Sequence, residues 1–163
     1  MFAEGPFRLL AVFLISMLPV LELRAGIIAG YALGLPLVDT FVTAVIGNLL
    51  PLPFVLLFVK KVFAFLKKHH ILTSFVEKLE NRAKQKSATV AKVEFWSLVG
   101  FVGIPLPGTG GWTGSLVASF LEMDFKKAFL ACVLGVLIAG FIVSLLTYGV
   151  FESLFGVILP WAL

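Results

Sequence analysis

Charge, cysteine and histidine are all scarce in this chain. Only 13% of its 163 residues are Asp, Glu, Lys or Arg, where soluble domains carry about 25%. The single cysteine, Cys132, excludes an internal disulfide framework and a cysteine-rich metal site. It lies in an apolar run and reads as a small packing residue. The two histidines, His69 and His70, are adjacent, so they point in different directions from a helix and do not support a His-based catalytic site. With no nucleophile–base set and no metal-ligand cluster in the sequence, the chain is not expected to be an enzyme or to hold a cofactor or metal.

What is abundant is hydrocarbon. Hydrophobic residues make up 60% of the chain and the mean hydropathy is +1.09. A chain this short cannot hide that excess in a water-facing fold, so membrane lipid is the expected solvent. Two uncharged stretches, Thr40–Val59 and Ala128–Phe151, are long enough to cross a ~30 Å hydrocarbon core as helices. Two others are awkward. Leu9–Val38 is too long for one crossing and too short for two, with Glu22 and Arg24 near its middle. Phe95–Leu121 holds Pro105-Leu106-Pro107-Gly108-Thr109-Gly110-Gly111-Trp112-Thr113-Gly114 at its centre, a decapeptide that cannot be continuous helix. Both stretches read as re-entrant hairpins, broken near Pro19 and near Pro105 and Pro107. Broken backbone at membrane depth is tolerated where protein buries it or where it lines a wet cavity.

Sliding the chain against itself by 88 residues aligns Pro19 with Pro107, Gly26 with Gly114 and Gly47 with Gly135. The expected organisation is a single all-α membrane domain. Residues 6–59 form one hairpin-plus-span unit, 60–94 a connector, 95–151 a second unit and 152–163 an interfacial C-terminal segment with Trp161. Each unit crosses the membrane an odd number of times, so the second enters in the opposite orientation, as an inverted repeat. Residues 60–94 carry nine Lys or Arg against three Glu, with apolar residues at helical spacing. That pattern fits a basic amphipathic helix on the membrane surface. The positive-inside rule places this connector in the cytoplasm and the chain in the cell (inner) membrane. The formal net charge of +4 then marks orientation and attraction to anionic lipids, with no nucleic-acid motif beside it. No signal peptide is expected, because the apolar pattern runs on past Ala25-Gly26.

Inverted repeats with discontinuous helices are the architecture of many secondary transporters. Glu22 and Arg24 are the ionisable residues expected at membrane depth, where such groups usually face a cavity and function. Arg24 is the candidate for holding an anion and Glu22 for exchanging a proton or sodium ion; the alternative is a structural ion pair. Backbone amides around Gly108, Thr109, Gly110, Trp112 and Thr113 could form an anion-binding nest at the start of an outgoing half-helix. Facing Arg24, they would complete a two-sided site for a phosphate or carboxylate head group. Trp112 could stack on substrate or pack. Asn48, before Pro51 and Pro53, sits beside a kink and could bond freed backbone or line the path.

At these residues the sequence resembles a known family. Glu22-Leu23-Arg24, Gly47-Asn48-Leu49-Leu50-Pro51-Leu52-Pro53-Phe54 and the 105–114 decapeptide look like the signature blocks of the small multidrug export proteins. That family is similar in turn to the DedA-like membrane proteins, some of which are implicated in moving lipids, including polyprenyl phosphate carriers, between leaflets. After Glu22-Leu23-Arg24 the family often has Gly-Ala-Ile-Pro, whereas this chain has Ala25-Gly26-Ile27-Ile28. The resemblance implies an alternating-access transporter of a lipid-linked phosphate or other amphipathic anion. Export of amphipathic drugs, cations included, and a non-transporting membrane scaffold are the alternatives. A bundle of this size is compatible with a homodimer.

Overall fold

The computed structural model describes residues 4–68, 88–106 and 108–150. Every element among them is helical: α1 (Glu4–Met17), α2 (Glu22–Ala32), α3 (Leu37–Leu49), α4 (Leu52–Lys68), α5 (Ala88–Gly103), α6 (Gly111–Phe120) and α7 (Phe125–Ser144). A π-helical segment, Leu145–Val150, continues α7. Two compact units are formed, one from residues 1–50 and 136–163, the other from residues 51–135.

In the first unit α1 packs on both α2 and α3, and α2 packs on α3. Small residues make this close approach possible. A Cβ at Gly26 would run into the Ser16 hydroxyl, and one at Gly47 would lie 2.6 Å from the Phe13 carbonyl oxygen of α1. Val12, Leu23, Ile27 and Ala44 fill the space between the three helices. In the second unit α6 packs on α4 and α5. Here Gly114 is pressed against Val102, and a Cβ at Gly135 would lie 2.5 Å from the Val102 Cβ. In both units, then, glycines aligned by the 88-residue offset meet the first helix of the hairpin.

The backbone repeats the same offset. α2 ends with Gly34 N–H donating to the Tyr31 carbonyl and Leu35 N–H to the Gly30 carbonyl. α6 ends with Glu122 N–H donating to Ser119 and Met123 N–H to Ala118, each partner 88 residues on. Both ends are Schellman caps, which need a left-handed residue after the last helical position. Gly34 (φ 69°) meets that need without strain, and Glu122 (φ 52°) meets it against its Cβ. The next helices also start alike, with Thr40 N–H on the Pro36 carbonyl and Ala128 N–H on the Asp124 carbonyl.

Two stretches among the described residues are long and apolar enough to cross a membrane, Leu37–Val59 (23 residues) and Phe125–Gly149 (25 residues). They correspond to the two spans expected from the charge gaps, each starting three residues earlier. The first is broken at Leu50-Pro51, where Pro51 and Pro53 have no N–H to give the Gly47 and Leu49 carbonyls. The chain resumes as helix with Val55 N–H on the Pro51 carbonyl.

The candidate span ends at Val59, while α4 runs on through Lys60 and Lys61 to Lys68, so the helix that carries the end of the span also carries the first part of the expected 60–94 connector. Lysine is a good helix former, and a change of charge does not end a helix that no Pro or Gly interrupts. At the other end, residues 88–94 belong to α5. The middle of the expected connector with His69 and His70, the break residue Pro107, and the C-terminal segment with Trp161 lie outside the described residues.

Candidate functional site

The break between α1 and α2 is built from local necessity. Pro19 cannot donate a backbone hydrogen bond, and the chain turns through residues 18–21. Glu22 N–H donates to the Leu18 carbonyl, and Glu22 itself takes a left-handed conformation, φ 51°. That conformation is disfavoured for a residue with a Cβ, and here it falls on the first residue of a helix. Glu22 is 6% exposed. Its carboxylate stands at the N-terminus of α2, where the helix dipole favours negative charge.

Arg24 lies two residues further into the same first turn. One of its guanidinium nitrogens is 3.9 Å from the Glu22 carboxylate. At that separation the pair attracts through space but is too long for a direct hydrogen bond. The Arg24 side chain is 20% exposed and the Glu22 side chain 8%. The first unit thus holds a carboxylate and a guanidinium together, largely out of water, at a helix break. The sequence pointed to both residues.

Asn48 is also buried, 1% exposed. Its amide nitrogen donates to the Ser16 carbonyl at 3.3 Å, an oxygen in the last turn of α1 that has no intrahelical partner. Asn48 therefore ties the end of α1 to α3 just ahead of the Leu50-Pro51 break. Its Oδ1 has no hydrogen-bond partner. Ser16, on the other side of this contact, donates its hydroxyl to the Val12 carbonyl at 2.7 Å.

The second hairpin is described by itself. α5 stops at Gly103 and α6 starts at Gly111, so the described residues of the Pro- and Gly-rich decapeptide ahead of Gly111 are non-helical, as its composition requires. Gly108 is left-handed (φ 81°) and Gly110 is fully extended. The Thr109 hydroxyl lies 2.8 Å from the Ile104 carbonyl oxygen and 2.9 Å from that of Leu106, and 3.3 Å from the Leu106 N–H, which donates to it. Thr109 thereby stitches the connection after Pro105 into a compact turn. Trp112 and Thr113 sit half-buried in the first turn of α6, and Gly111 is buried beside them. Ser115 donates to the Gly111 carbonyl at 2.7 Å, and Cys132 is buried 3.9 Å from the Ser115 hydroxyl.

Sequence reasoning missed a third polar group. Tyr31 and Tyr148, the only tyrosines in the chain, meet edge to face with ring centroids 5.0 Å apart. The Tyr148 hydroxyl lies 2.8 Å from the Thr40 hydroxyl and 3.0 Å from the Leu35 carbonyl oxygen. Thr40 is fully buried and leans on Gly30, whose missing side chain makes room for it. The two tyrosines stand more than a hundred residues apart, so no local spacing could have paired them.

The described residues contain no group of three or more His, Cys, Asp or Glu able to hold a metal ion. No curated protein and no solved structure matches the chain. A family model described as "Putative small multi-drug export protein" matches residues 22–142. The match begins at Glu22, takes in Arg24, Asn48 and the whole 105–114 segment, and covers most of the chain. This chain belongs to that small multidrug export family.

Proposed function

We propose that the chain is a membrane exporter of amphipathic molecules that works by alternating access. In this reading Arg24 holds an anionic head group and Glu22 couples the cycle to a proton or a sodium ion. One observation carries it: a carboxylate and a guanidinium, both largely buried and 3.9 Å apart, sit at a strained helix break. Between Thr40 and Val59 and between Ala128 and Val150 the sequence carries no charged residue. Charged groups at membrane depth are costly, roughly 2.5–3.5 kcal/mol each on insertion scales, and usually mark a transport path. Membership of a family described by export supports the same class of function.

The finer parts of the proposal rest on the sequence. The leading substrate is a lipid-linked phosphate or another amphipathic anion, in line with the resemblance to DedA-like proteins. Gly108, Gly110, Trp112 and Thr113 present the second hairpin's share of the head-group contacts through backbone amides before and at the start of α6, and Thr109, whose own N–H donates to the Leu106 carbonyl, holds their turn. Asn48 offers its open Oδ1 to the path while its amide holds α1. The hairpins are re-entrant and the two halves of the chain are inverted repeats in the cell (inner) membrane. Membrane lipids surround them, and the 60–94 connector lies on the cytoplasmic side, where positive charge accumulates. The bundle is small enough to work as a homodimer, and no catalytic step is assigned to it.

A second reading, export of amphipathic cations, draws on Glu22, the more deeply buried of the two charged groups. Purified chain in liposomes separates the readings. Leaflet exchange of a fluorescent lipid phosphate and efflux of ethidium are measured with and without a pH gradient. The anion reading predicts lipid-phosphate movement that Arg24→Ala lowers at least tenfold. Ethidium efflux that needs Glu22 and ignores Arg24 supports the cation reading. Movement of neither molecule overturns export and leaves a scaffold role.

A further inference from the structure

Within the first unit, α3 and the end of α7 enclose a cavity of about 430 Å³, within the range of small-molecule pockets, roughly 300–1,000 Å³. Its walls include Leu37 and Phe41 from α3 and Phe141, Ser144, Leu145 and Tyr148 from the end of α7 and the π-helical segment. None of the lining residues is charged. Phe141 is 62% exposed, so the cavity has an open side.

Two features make this more than a gap between apolar helices. Ser144 is 5% exposed, and its hydroxyl has no hydrogen-bond partner. A buried hydroxyl left unpaired costs about 1–3 kcal/mol, so one that persists in a cavity wall calls for a partner from outside the chain. The α-helix also changes to a π-helix at Leu145, directly after Ser144. Such segments are frequent at functional sites, and Tyr148, which lies in this one, stands in the same wall.

We infer that this cavity binds an uncharged, ring-bearing molecule, or the uncharged ring-bearing part of an amphipathic one, that carries a hydrogen-bond acceptor for the Ser144 hydroxyl. The aromatic walls supply Phe41, Phe141 and Tyr148 for offset or edge contacts with a ring. The absence of charge in the lining excludes an ionic head group from the cavity itself. Identifying the occupant with the exported molecule rests on the export reading; the binding does not.

Benzophenone is a suitable probe, because it is uncharged, has two rings and one carbonyl acceptor, and marks its neighbours covalently under light. The full chain in detergent is labelled across a concentration series and the adducts are mapped by mass spectrometry. Saturable adducts on segments 37–41 and 141–149 are expected. Ser144→Ala should weaken half-saturation by about tenfold, the equivalent of one hydrogen bond, without lowering thermal stability. Gly149→Leu, placed where an added Cβ meets nothing within 4 Å, should fill the cavity and abolish saturable labelling. Adducts spread over outward residues such as Phe54 and Phe58, indifferent to both variants, would overturn the proposal. So would competition by phosphatidylcholine as strong as that by unlit probe, which assigns the cavity to an acyl chain. A Gly149→Leu protein that labels normally but loses a dimer would assign it to a second copy. Labelling that follows these expectations in a chain that moves neither lipid phosphate nor ethidium would refute the export reading and leave the cavity standing.

Discussion

Among the described residues two glutamates hold left-handed backbone, and their surroundings give that strain different meanings. Glu122 is exposed after the last turn of α6, in the position where Gly34 ends α2 without strain. Nothing about the site needs a carboxylate, and a negative charge at a helix C-terminus is unfavourable. Glu122→Gly should therefore stabilise the protein by about 1 kcal/mol, the cost of the left-handed residue, and Gly34→Ala should lower stability by a similar amount. Thermal unfolding in detergent checks both. Glu22 is buried beside Arg24, and strained residues that persist in such places cluster at functional sites. Glu22→Gly keeps the backbone and removes the carboxylate. It should leave the unfolding temperature unchanged or higher while transport falls at least tenfold, a split that a purely structural ion pair would not produce.

The elements show how far a linear reading reaches. Charge gaps located both long helices, because lipid admits few charges and the boundary is written in composition. The prolines and glycines located the breaks after α1, α3 and α5 for an equally local reason, the loss of helical N–H donors and of helix propensity. Glu22 and Arg24 stood out because charge at that position is rare. The contacts that hold the hairpins were not legible. Asn48 reaching the Ser16 carbonyl and Tyr148 reaching Thr40 are pairings between distant residues, and Ser144 carries no signal until its neighbours are seen. At this scale Gly47 is the tightest test. Its absent Cβ would face a backbone carbonyl of α1 at 2.6 Å, which cannot swing aside as a side chain can. Gly47→Ala should cost about 1–3 kcal/mol of stability through overpacking. Asn48→Ala should cost about 1–2 kcal/mol by leaving the Ser16 carbonyl unpaired. Both can be read from thermal unfolding.

For the whole molecule, the 88-residue offset links sequence, glycine packing and helix caps, and the proposed inverted topology makes a claim about sidedness that the lysines can test. All ten lysines fall between Lys60 and Lys127, and the proposed topology puts them on one side, the one that the positive-inside rule makes cytoplasmic. In a Cys132→Ala background, Lys61→Cys and Lys126→Cys should react with a membrane-impermeant maleimide only when the reagent reaches the cytoplasmic face. Reaction of the two positions from opposite faces would refute the inverted topology. The central claim is that Glu22 and Arg24 form the working site of an exporter. Its most direct test is flux of a fluorescent lipid phosphate in liposomes holding either the natural chain or a Glu22→Gln, Arg24→Ala double variant, under an imposed proton or sodium gradient. Gradient-driven flux in the natural chain that drops to the protein-free rate in the double variant is the predicted result; flux that survives intact in the double variant would contradict it.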